Sequence, residues 1–123
     1  MAAPNLVNVS AIYGSTTASN LTSTSAFTIL NNASASGKVY KINTLNAANY
    51  GAGAAYITVN YNTGANLGGT NFSIAANVSV PANSVLNIID KSTQYYLEEN
   101  RSIGAIAGTA NSIIITCSYE DLS

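Results

Sequence analysis

Acid–base, nucleophilic and metal chemistry draw on a few residue types, and this chain is short of nearly all of them. It has no His, one Cys, five carboxylates and four cations. Without His, general-base schemes, catalytic triads and imidazole–metal sites lose their commonest participant. Cys117 falls in phase with Ile113, Ile115 and Tyr119, so it reads as a small buried hydrophobe rather than a nucleophile. Being alone, it also rules out an internal disulfide framework. Ser is abundant, yet no Gly-x-Ser-x-Gly elbow occurs. Gly51-Ala52-Gly53 and Gly68-Gly69 resemble fragments of phosphate loops. Neither is followed by Lys-Ser/Thr or by a helical pattern, so both read as turns.

The carboxylates fare no better as a pair. Glu98 and Glu99 are adjacent, and on a strand they would point to opposite faces. In a turn they would meet Arg101 or Lys91, a surface contact worth at most ~1 kcal/mol. Asp90, Glu98, Glu99, Glu120 and Asp121 lack the ordered spacing of a calcium loop. The expectation is a protein with no catalytic residue, no cofactor and no metal. The eight Tyr residues, in a chain without Trp, suggest either a sugar platform or contact surfaces. Tyr13, Tyr61 and Tyr119 share the phase of core positions, whereas Tyr56 and Tyr95 fall outward and suit a protein–protein contact.

The elements that would carry these residues are strands. The clearest alternation puts Phe72, Ile74, Ala76, Val78 and Val80 on one face, until Pro81 ends the ladder. Ala55 to Asn62 alternates as cleanly, with Ile57, Val59 and Tyr61 inward. Further apolar runs lie at Val85–Ile89, Tyr95–Leu97, Ile103–Ala107 and Ile113–Tyr119. Asn5 to Tyr13 reads as a first strand turned by Gly14-Ser15. Thr16 to Ser25 is polar, with Leu21 its one large apolar residue, and reads as an exposed edge strand or a surface arm. Ala26 to Leu30 is a short strand. Lys38 to Asn46 has a muddled phase, Tyr40 and Ile42 on one side and Val39 and Leu45 on the other. That suits an interior strand, or one whose outer face meets a partner. Asp90–Thr93 and Glu98–Arg101 are turns, Gly108–Asn111 reads as a hairpin, and Glu120–Ser123 as a tail. No helical periodicity is present. Roughly eight to ten short strands imply an all-β, antiparallel β-sandwich or jelly-roll-like single domain over residues 1–123, with 1–25 a partly extended strand or arm.

Charge is the compositional outlier. Only 7% of residues are charged and the net charge is −1, against about 25% charged in ordinary soluble domains. Lys38, Lys41, Lys91 and Arg101 do not make a phosphate-binding groove, so nucleic acid is not an expected partner. Asn, Ser and Thr keep such a surface wet, but its β-edges lack charged gatekeepers. Either the domain is merely short of charge, or partners in an assembly cover much of its surface; the second is favoured. The N-terminus has no secretory pattern, and no apolar run approaches a membrane span. The six Asn-x-Ser/Thr sequons are then products of composition.

Several segments in order resemble the small β-rich virion structural proteins of tailed phages, especially those of marine and freshwater cyanobacteria. They are Ser36 to Asn43, Ile57-Thr58-Val59, Val78 to Ala82, Tyr96-Leu97-Glu98-Glu99 and the ending Cys117 to Ser123. Where that family is expected to carry Gly-Asp after Tyr-Leu-Glu-Glu, this chain has Asn100-Arg101; Asn tolerates the left-handed turn, while Arg101 inverts the local charge. The resemblance implies a non-enzymatic particle component found in the virion and assembled in the host cytoplasm. The leading expectation is a capsid cement or decoration protein that binds the major capsid protein and itself, as a trimer. The alternative is a neck, tail or fibre component with a host-surface glycan-binding role. Candidate contact residues are Leu6, Val7, Leu21, Lys38, Tyr40, Lys41, Tyr56, Tyr95, Tyr119, Glu120 and Leu122.

Overall fold

The computed structural model describes residues 9–123. Its strands are β1 (Ile12–Asn20), β2 (Phe27–Asn32), β3 (Val39–Asn49), β4 (Ala55–Asn62), β5 (Asn71–Val80), β6 (Ser84–Ile89), β7 (Tyr95–Leu97), β8 (Arg101–Ala107) and β9 (Ile113–Leu122). One 3-10 turn lies at Ala65–Leu67. The first sheet has the order β1-β9-β3-β6, with β7 also on β3; the second has the order β2-β8-β4-β5. All pairings are antiparallel. The two sheets pack together as a β-sandwich. Only β4 and β5 follow each other along the chain as paired strands of one sheet, because the chain crosses between sheets at most other steps. That wrapping is jelly-roll connectivity.

The core fills the space between the sheets. Ile42, Leu45, Ile113, Ile115 and Cys117 project from the first sheet, and Ile57, Val59, Ile103 and Ala105 from the second. Burying each large aliphatic side chain is worth about 1.5–3 kcal/mol. The muddled phase of β3 has a local cause. Its pairing with β9 shifts register between Ile42 and Thr44, and the extra residue lets both Ile42 and Leu45 face inward. β3 is an interior strand, flanked by β9 on one side and by β6 and β7 on the other.

Three local expectations are corrected. Gly108–Asn111 does not close a hairpin: β8 belongs to the second sheet and β9 to the first, so the segment crosses between sheets. A turn signal encodes a reversal but not the sheet that receives the next strand. Gly14-Ser15 is no turn either, because β1 runs through it in register with Glu120 and Tyr119. The part of the expected Asn5–Tyr13 strand before Val9 lies outside the described residues. Lastly, β5 does not keep one apolar face. Two register shifts against β4 put Val78 opposite Ile57, Ala75 opposite Val59 and Phe72 opposite Tyr61, leaving Phe72 and Ala76 exposed.

Strand ends are fastened by buried Asn side chains. Asn32, Asn49 and Asn62 are the last residues of β2, β3 and β4, and all are buried. Asn49 Nδ2 donates to Gly53 O (2.9 Å) and Val80 O (2.8 Å), while its Oδ1 accepts from Gly51 N (2.9 Å). Asn62 Oδ1 accepts from Gly64 N and Gly69 N, both at 2.8 Å, and its Nδ2 donates to Asn71 Oδ1 (2.7 Å). Asn32 Nδ2 donates to Lys38 O (2.9 Å) and Leu97 O (3.0 Å). Each amide thus satisfies backbone groups that a tight loop would otherwise bury unpaired.

Candidate interaction surfaces

The glycine-rich segments are settled by geometry. Gly64 and Gly69 approach so closely that a Cβ on either would come within 2.6 Å of the other's backbone. Their N–H groups are taken by Asn62. The 3-10 turn beside them is bound in the same way: Ala65 N donates to Asn100 Oδ1, Asn66 N to Asn31 Oδ1 and Leu67 N to Ser102 Oγ. No cradle of free N–H groups remains there for a phosphate. Cys117 is buried, and desolvation pushes its thiol up to about 12, so it is protonated and inert at neutral pH. Among the described residues, no three His, Cys, Asp or Glu side chains come together as metal ligands.

The candidate contact residues divide among several places. Lys38, Tyr40 and Tyr119 gather at one end of the sandwich. Lys38 Nζ lies 3.1 Å from Asp121 Oδ2, and that hydrogen bond and the carboxylate's charge raise the Lys38 pKa. The Tyr40 and Tyr119 rings are tilted with centroids 5.2 Å apart. Burial, followed by the charge of Asp121, raises the Tyr40 pKa. Nearby, Glu99 is buried in its turn and accepts from Gly37 N (2.7 Å). It does not pair with Lys91 or Arg101; Arg101 instead donates to Thr63 O and Asn100 O. Asn100 takes the left-handed conformation (φ 57°), as its place in the turn suggested.

A second group lies on the outer face of the first sheet. Lys41 stands opposite Glu120 on β9 and Tyr96 on β7. Asn43 Nδ2 donates to Glu120 Oε2 (3.1 Å), and Gln94 Nε2 donates to Asn43 Oδ1 (2.8 Å). Along the rest of this face the register aligns Thr44, Ser118 and Thr16, then Asn46, Thr116 and Ala18, then Ala48, Ile114 and Asn20. Lys41 and Glu120 are therefore its only charges on β1, β3 and β9. Tyr95 is exposed on β7, and Tyr56 is exposed on the other sheet.

Four candidates change status. Leu21 is 2% exposed and Leu122 6% exposed, so both are buried rather than offered to a partner. Leu6 and Val7 lie outside the described residues. The expected tail is not free: Glu120, Asp121 and Leu122 are the end of β9, paired with β1 on one side and β3 on the other. Tyr13, in phase with apparent core positions, is 66% exposed because β1 packs chiefly on β9 and the second sheet does not cover it.

Sequence reasoning missed two features. The buried Asn latches were legible as Asn49-Tyr50-Gly51 and Asn62-Thr63-Gly64, where Asn accepts from the Gly two residues on. The extent of β1 had no such signal. No protein-family model matches the chain, and no curated protein matches it significantly.

Proposed function

We propose that this chain is a non-enzymatic structural protein of a tailed-phage virion, a capsid cement or decoration protein that binds the outside of the major capsid lattice. The observation that carries this reading is the outer face of the first sheet, a broad surface of Thr, Ser, Asn, Ala, Gly14, Ile12 and Ile114 interrupted by Lys41 and Glu120 as the only charges on β1, β3 and β9. Covering such a face desolvates almost no charge, so a protein surface laid against it loses little on binding. Jelly-roll sandwiches recur in capsid proteins, although a fold by itself names no function. Segment likenesses to phage virion proteins supply the rest of the support. A protein that binds the assembled lattice, and not its dissociated subunits, stabilises the shell by linkage.

Copy number per purified particle, measured by quantitative mass spectrometry against the major capsid protein, tests the reading. A ratio near one to one is expected. About five to a few dozen copies would instead indicate a ring, collar or fibre subunit under cyclic symmetry. Absence from the particle would overturn every virion reading. Deleting residues 120–123 is not a clean test of partner binding, because it removes ladder positions of β9. Thr116→Glu, on the outer face, keeps the ladder and should reduce retention on the particle.

A further inference from the structure

Among the described residues β1 is an edge strand, with an unusual combination of properties. It keeps register with β9 over nine consecutive residues, without a bulge, and contains no Pro and no charged residue. Other edges are shorter or interrupted. β2 and β5 carry register shifts, β6 has six residues and β7 three. Edges left regular and uncharged are templates for further strand pairing.

The backbone polarity of this edge follows from its two ends. Ala11 and Ser123 exchange both N–H···O bonds, and Leu21 N donates to Ile113 O. Hydrogen-bonded pairs alternate in an antiparallel ladder. Odd-numbered residues of β1 therefore direct their N–H and C=O at β9. The even-numbered ones, Ile12, Gly14, Thr16, Ala18 and Asn20, direct theirs away from it.

We infer that this edge is a homodimer interface, in which β1 pairs antiparallel with β1 of a second copy about a two-fold axis at Thr16. That register sets Thr16 against its counterpart, Gly14 against Ala18 and Ile12 against Asn20, and each outward N–H meets an outward C=O. A second copy is the occupant because the strand is complementary to itself. Its two large exposed side chains, Ile12 (59%) and Tyr13 (66%), lie at one end, and the small or polar Ala18, Ser19 and Asn20 lie at the other. The two-fold brings the large end of each copy over the small end of its partner. Two uncharged strands do not repel, and the small side chains along the middle form no pockets that would select a foreign peptide. The first sheets of the two copies become one continuous sheet. The inference does not rest on the virion reading, and it gives a dimer as the unit rather than the trimer that the family resemblance implied.

The test uses the purified full chain. Analytical ultracentrifugation over a concentration series should show a dimer, and hydrogen exchange should show Gly14, Thr16 and Ala18 amides gaining protection as the dimer forms. Thr16→Pro removes an outward N–H and none directed at β9, so it should abolish the dimer while circular dichroism stays near that of the parent and melting matches that of the parent at dilutions where the parent is monomeric. A monomer at all concentrations would overturn the inference. So would an oligomer that T16P leaves intact, a trimer in which these amides stay unprotected, or protection of the same amides independent of concentration. Protection gained only on adding particles would assign the edge to a different partner and overturn it equally.

Discussion

The two longest edges of the sandwich, β1 and β5, are built in opposite ways. β5 has ten residues, two register shifts, a left-handed Asn77 (φ 50°) and Pro81 just beyond its end. Bulges twist an edge away from straight pairing, and Pro removes a donor. β1 has nine residues in unbroken register and neither device. β5 also sends Ile74, Ala75 and Val78 against the core, whereas β1 is anchored mainly through Leu21 just past its end. The difference separates an edge interrupted by its own backbone from one kept in unbroken register. Stability comes from the strands around β5; β1 adds little core of its own, and its regularity is what a partner strand requires.

The largest effect expected from this contrast is a difference between neighbouring substitutions. Thr17→Pro deletes an N–H directed at β9 and should cost about 3 kcal/mol or more, whereas T16P should cost far less; urea denaturation of the two variants measures it. Leu21→Ala should cost about 3 kcal/mol, since the 2%-exposed side chain leaves a cavity. It should also raise hydrogen exchange throughout β1 more than in β5. Asn62→Ala should cost about 2 kcal/mol, because Gly64 N and Gly69 N lose their shared acceptor; thermal melts check it. Asn77→Val forces a β-branched residue into the left-handed region of the β5 bulge and should cost about 1–2 kcal/mol.

The smallest effect on the folded protein concerns Cys117. Its thiol is raised from 9.0 to about 12 by burial, so the folded state holds the proton more tightly than the unfolded one. The resulting stability is fully present below pH 9 and declines as pH rises toward 12. At pH 8 the native thiol should react with a disulfide reagent about a thousandfold more slowly than in the unfolded chain, following its thiolate fraction. Reaction at the unfolded rate under native conditions would contradict that burial.

Much of the architecture was legible in order along the chain. Ala55–Asn62 and Ile113–Tyr119 alternate because one face of each strand must be apolar; the first is a strand at the expected limits, and the second continues to Leu122 through the expected tail. Pro81 ends β5 for lack of a donor, and the glycine segments are turns. The grouping of the candidate contact residues was not legible: strand register puts Lys41 and Glu120 on one face and Lys38, Tyr40 and Tyr119 at one end, whereas Leu21 and Leu122 are buried.

By itself, the sequence determined an all-β sandwich with a weakly charged surface, because period-two hydrophobicity and residue counts are local properties. Tertiary structure alone decided which sheet each strand joins, where β3 and β5 slip register, and that Gly14-Ser15 extends a strand instead of turning it. Those outcomes depend on pairing with residues far away in the chain: β1 exists as a strand because β9, about a hundred residues later, supplies its hydrogen bonds. A run of Ser, Thr, Gly and Ala carries no apolar period to announce such a partner.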